Sequence, residues 1–153
     1  MAILRYVCAK YKTKNGESLY PGHADPMLTW EIDNACEDTN DAFFGPDFIK
    51  LITSKVGTDA YDTVFTEYIL KKFPEALAKL EAKLGSTKYL VSNNLTMADI
   101  HFASLIFQRT YNDDYEHCHI LQAVVQKFPK VQAYVNTLLA DFKSWRDTYS
   151  LKQ

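Results

Sequence analysis

The stretch Leu95-Thr96-Met97-Ala98-Asp99, followed by the nearly unbroken apolar run from Ile100 to Phe107, constrains this chain more than any other segment. Thr96 is placed to accept from the amide of Asp99 while the Asp99 carboxylate reaches back to the amide of Thr96. That is a capping box with Asp in the usual Glu/Gln position. Leu95 before the cap and Ile100 after it have the spacing of a hydrophobic staple. Only His101 and Ser104 interrupt the run, which predicts a helix buried at the centre of a domain, with these two as hydrogen-bonded polar groups of the core. Thr96 and Asp99 are thereby assigned to structural capping and not to chemistry.

Around this helix the apolar residues recur at helical spacing. Ile3, Tyr6, Val7 and Tyr11 predict the core face of a first helix over 2–12, and Asn15-Gly16 and Tyr20-Pro21-Gly22 mark a loop from Thr13 to Ala24. Asp25-Pro26 is a helix start. The helix it opens runs to about Phe44, with Ile32, Ala35, Cys36 and Phe43 facing inward and Glu31, Asp33, Glu37, Asp38 and Asp41 forming an acidic stripe. Gly45-Pro46 ends it, and the state of Asp47 to Gly57 stays open. Tyr61, Val64, Phe65, Tyr68 and Ile69 share a register with Leu77, Leu80 and Leu84 across Pro74, which kinks the helix or restarts it after Phe73. Gly85 supplies the stop. A short helix carries Ile120, Leu121, Val124 and Val125, and a last one repeats Val131, Val135, Leu138 and Phe142. With no alternating strand pattern and no internal repeat, the fold is all-α, a single domain of six or seven helices.

Composition excludes several classes. No apolar run approaches the roughly 18 residues of a membrane span. With 17 basic against 19 acidic residues and no Lys/Arg block, nucleic acid is not the expected ligand. Cys8, Cys36 and Cys118 are odd in number and widely spaced, as in free thiols of a reducing compartment, the cytoplasm first. Arg5, Lys10, Lys12 and Lys14, with no acid before Glu17, also fit a mitochondrial presequence; the preferred reading is an amphipathic helix of the fold.

The other chemical candidates are weaker. His117-Cys118-His119 with Asp113, Asp114 and Glu116 offers metal-ligand types, but neighbouring side chains on a helix diverge by about 100° and no second cluster exists, so no metal is expected. None of the cysteines is spaced from His23, His101, His117 or His119 in a way that singles out a nucleophile and base. Tyr111, Tyr115, Trp145 and Tyr149 lie outside the clear core periods, and aromatic residues with a polar edge suit a protein partner.

The order of these features resembles the C-terminal helical domain of glutathione transferases. Met1-Ala2-Ile3-Leu4-Arg5-Tyr6-Val7 looks like the helix that ends the family's thioredoxin-like half, and Tyr20-Pro21 to Asp25-Pro26 is similar to its inter-domain linker. Tyr89-Leu90-Val91 through Leu95-Thr96-Met97-Ala98-Asp99 looks like the family's Leu-Thr-x-Ala-Asp capping element. The resemblance covers essentially the whole chain. It implies that residues 1–24 are a residual helix and linker and that residues 25–153 are the six- to seven-helix domain. It also sets Met1 past the family's sulfur-activating Tyr, Ser or Cys, its cis-proline and its Ser clamp, which implies no catalytic residue and no cofactor. The spacing after Asp33 puts Glu37 where the mu, pi and sigma branches carry an acid that reaches glutathione's amino group across a dimer; the other reading of Glu37 is a solvated helix face. The resulting expectation is a non-catalytic protein-binding or structural module in a dimer or larger assembly, as similar domains are in translation-factor subunits. The alternative is a fragment of a glutathione transferase that conjugates glutathione to electrophiles, with glutathione as its cofactor.

Overall fold

The computed structural model describes residues 1–44, 50, 53–55, 57–85 and 87–145. Seven α-helices carry the fold: α1 Ala2–Lys10, α2 Pro26–Phe44, α3 Asp59–Glu67, α4 Phe73–Lys83, α5 Met97–Arg109, α6 Cys118–Val125 and α7 Pro129–Asp141. Among the described residues no strand forms, and β pairing is limited to an isolated bridge between Lys12 and Ser18 that closes the loop after α1. Gly16 turns that loop at φ 82°, a left-handed conformation that glycine adopts without steric cost.

The local signals act where their chemistry places them. Asp25 Oδ1 accepts from the Leu28 amide at 3.0 Å and starts α2. Ile32, Cys36 and Phe43 of that helix are buried, while Glu31, Glu37, Asp38 and Asp41 are exposed. Thr58 Oγ1 accepts from the Tyr61 amide and caps α3. Gly45-Pro46 and most of the stretch from Asp47 to Gly57 lie outside the described residues.

Pro74 neither breaks the chain nor forces a restart. The turn before it widens into a π-helix over Tyr68–Lys72, in which the Phe73 amide donates to the Tyr68 carbonyl, five residues back. The proline ring would otherwise meet the carbonyl one α-turn earlier. Widening keeps Tyr68, Ile69, Phe73 and Leu77 inward and turns Leu70 out, 75% exposed.

Gly85 has no left-handed φ, so it is not the cap expected of it. The end of α4 is closed from a distance instead. Lys130 Nζ donates to the Leu84 carbonyl at 3.1 Å, and the Glu81 carboxylate accepts from the Lys130 and Val131 amides at 3.1 and 2.9 Å. Each helix end thus satisfies groups that the other leaves unpaired. Phe128, the residue before α7, has no side chain able to do so.

Two apolar clusters meet on α5. The larger gathers Phe73, Leu77, Phe102, Ile106, Val125, Val131, Val135 and Leu138, and Phe43 packs edge-on against Phe73 and Phe102 with centroids 5.7 Å apart. The smaller gathers Cys8, Ile32, Cys36, Met97 and Ala98 between α1, α2 and the first turn of α5. Central burial of α5 therefore holds, with one correction. Ser104 is exposed, its hydroxyl donating to the His101 carbonyl, because it falls on the narrow outer edge of the helix with Gln108. Leu95 packs on the larger cluster and Ile100 on the smaller, so the expected staple pair is divided between the two.

Candidate functional site

The outward face of α1 and α2 is where the structure departs most from what a finished core requires. On α1 only Leu4 and Cys8 turn inward, onto Ile32, Cys36, Met97 and Ala98. Arg5 Nε donates to Asp33 Oδ1 at 2.9 Å, and the Tyr20 hydroxyl donates to Asp33 Oδ2 at 2.9 Å, so one carboxylate ties α1 and its following loop to α2. Arg5 and Asp33 are 37% and 31% exposed. At that exposure the pair contributes about 1 kcal/mol at most. The Met97 amide donates to the Leu19 carbonyl and fixes the same loop to the start of α5.

The apolar period of α1 points the other way. Ile3 is 82% exposed and Tyr6 66%, with Val7 and Tyr11 also exposed. These four were expected to be the core face, and the structure corrects that. A period of three and four identifies an apolar stripe but not what covers it, and this helix is apolar on two sides. The stripe continues on α2, where Met27 is 67% and Trp30 62% exposed. Lys10 Nζ lies 5.9 and 5.8 Å from the ring centroids of Tyr6 and Tyr11.

Beyond Met27 and Trp30 the outward face of α2 becomes acidic, through Glu31, Glu37, Asp38 and Asp41. Asp38 pairs with Lys83. Glu37 projects from this face with no hydrogen bond or ion pair printed among the described residues, a carboxylate open to solvent or to a ligand. Sequence reading missed Met27 and Trp30. The signal was present, since a tryptophan opposite the core face of an amphipathic helix is an anomaly to be explained.

The remaining candidates fall elsewhere. Asp99 is fully buried and joins three segments: Oδ2 accepts from the Thr96 amide and hydroxyl, both at 2.8 Å, and Oδ1 accepts from the Leu90 amide at 2.9 Å and the Tyr134 hydroxyl at 2.8 Å. Burial pushes its carboxyl up, against the four donors that pull it down. Thr96 and Asp99 form the capping box, and the Tyr134 bond extends it to α7. No solvent reaches this carboxylate, which is built to hold the fold.

Burial also pushes the Cys8 thiol up and, helped by the charge of Asp33, raises Cys36 to about 12, so neither is an activated nucleophile. His101 Nε2 meets Asn40 Oδ1 at 2.8 Å. His117 sits among rings, 4.2 Å from the Phe65 centroid and near Tyr61 and Tyr115. Among the described residues no three His, Cys, Asp or Glu side chains converge as metal ligands. Tyr111 and Tyr115 pack against the larger cluster, which leaves them little free surface. Trp145 is exposed, and Tyr149 lies outside the described residues.

No described helix is long and apolar enough to cross a membrane. The family model for the glutathione S-transferase C-terminal domain matches residues 48–141, more than half of the chain. No curated protein and no solved structure matches it.

Proposed function

Since this chain belongs to the glutathione S-transferase C-terminal domain family, we propose that it works as a non-catalytic protein-docking or structural module, a subunit of a larger assembly, and docks through the outward face of α1 and α2. The observation that carries this reading is the exposure of Ile3, Tyr6, Val7, Tyr11, Met27 and Trp30 on two neighbouring helices. A patch of this size on a folded domain marks an interaction surface. The bundle beneath it is already closed by its own core and by the Asp99 hydrogen bonds, so the face is free to bind. Buried free thiols at Cys8 and Cys36 support a reducing compartment, cytoplasmic or mitochondrial.

The test is size fractionation of cell extract containing the wild-type chain or the double variant Ile3→Glu, Trp30→Glu. The wild type elutes with a large assembly and the variant elutes alone. Identical elution of the two contradicts the reading.

A second reading is favoured by Glu37, whose free carboxylate is available to an amino group of a ligand. In it the chain is part of a glutathione transferase that conjugates glutathione to electrophiles. A glutathione-affinity column separates the two. Under the docking reading the chain passes through; retention and release by free glutathione, lost in Glu37→Gln, supports the second.

A further inference from the structure

Charge on the two helices is segregated. Residues 1–16 contain Arg5, Lys10, Lys12 and Lys14 and no acid, whereas α2 contains Glu31, Asp33, Glu37, Asp38 and Asp41 and no Lys or Arg. Both segments add large exposed apolar side chains to that charge, Ile3, Tyr6 and Val7 on the basic side and Met27 and Trp30 on the acidic side. The Arg5–Asp33 bond shows the pairing that the two surfaces make within one copy. On the outward side Lys10, Lys12 and Lys14 face solvent, as do Glu31, Glu37 and Asp41.

We infer that a second copy of this chain closes the face, α1 of each copy lying on α2 of the other. The inference rests on the reading of α1–α2 as a docking surface and names its partner. Stacking α1 on α1, or α2 on α2, would set like charges against one another, which opposes association. Crossing α1 onto the partner's α2 sets lysines against carboxylates and places Ile3, Tyr6 and Val7 over Met27 and Trp30. A two-fold axis repeats the contact, so both stripes of both copies are covered and no free end remains to propagate a fibre. The exposed parts of these side chains, with Tyr11, amount to on the order of 900 Å² per copy, against the roughly 800 Å² that a standard interface takes from each partner. Tryptophan and tyrosine at the centre with charges at the edge is the usual anatomy of such a surface.

The experiment is sedimentation analysis of the full chain and two charge-reversed variants, Lys10→Glu with Lys14→Glu, and Glu37→Lys with Asp41→Lys. All four positions are exposed, so circular dichroism should show wild-type helix content in each. The wild type dimerises, and each variant alone dissociates about tenfold more readily or worse. An equimolar mixture of the two variants restores dimer, because the acidic α1 of one meets the basic α2 of the other in both contacts. Overturning results are a wild type that stays monomeric up to about 100 µM, variants that dimerise as the wild type does, or a mixture without recovery. A monomeric chain that still enters an assembly in extract through Trp30 overturns the second-copy inference and leaves docking standing. If Ile3→Glu, Trp30→Glu changes neither assembly nor self-association, both fail.

Discussion

The larger cluster and the α1–α2 face are built from the same residue types at the same helical spacing, yet one is sealed and the other is open. In the first, Phe73, Leu77, Phe102, Ile106, Val135 and Leu138 are covered on every side by helices that the chain itself supplies. In the second, Ile3, Tyr6, Met27 and Trp30 have the chemistry of a core and no cover. Apolar periodicity therefore reports a tendency to be buried and not the identity of what does the burying. The polar groups differ in the same sense: Asp99 is buried and fully hydrogen-bonded, whereas Glu37 and Asp41 stand in solvent.

That contrast is tested most strongly at Asp99. Asp99→Ala removes the acceptor for the Leu90 and Thr96 amides and the Tyr134 hydroxyl, leaving buried donors unpaired. The expected loss is about 3–5 kcal/mol in urea unfolding. A loss below about 1 kcal/mol would mean that the sealed region does not depend on this carboxylate. Next in size is Glu81→Ala, which uncaps α7 at the Lys130 and Val131 amides and should cost about 1–2 kcal/mol. Glu81→Gln, which keeps the acceptor and removes the charge, should recover part of that.

These two positions also show how far the sequence reached. Asp99 was legible because its partner Thr96 is three residues away, within a motif that reads as a unit. Its bond to Tyr134 and the cap that Glu81 gives to α7 were not, because they join residues 35 and about 50 positions apart and depend on how helices pack. Asp25-Pro26 located α2, and the Leu-Thr-Met-Ala-Asp element led to the right family. The sense of α1 could not be read, since Leu4 and Cys8 on one side and Ile3, Tyr6 and Val7 on the other are both apolar. Only packing decides which turns inward.

Smaller effects sharpen the open side of the comparison. Trp30→Ala should leave the unfolding free energy of the isolated chain within about 0.5 kcal/mol of wild type, as for an exposed site with no structural partner. A loss of about 2 kcal/mol or more in dilute solution would make Trp30 part of the core after all. The smallest effect is in the pH response of His101. Burial lowers its pKa below the ordinary 6.5, so the folded chain binds fewer protons there than the unfolded chain. The stability linked to this group is present above pH 6.5 and is lost as pH falls through the folded value. His101→Gln should remove that part of the acid-side slope in unfolding measured over this range. An unchanged slope would show that His101 does not contribute to it.

The central claim is that the α1–α2 face is uncovered in the single chain and covered on association. Fluorescence of Trp30 in a Trp145→Phe background reads this directly, because Trp30 is then the sole indole. Emission typical of a solvated tryptophan at high dilution, moving to the blue as concentration rises and the dimer forms, is the predicted result. Emission that is blue at every dilution, or red at every concentration, would contradict it.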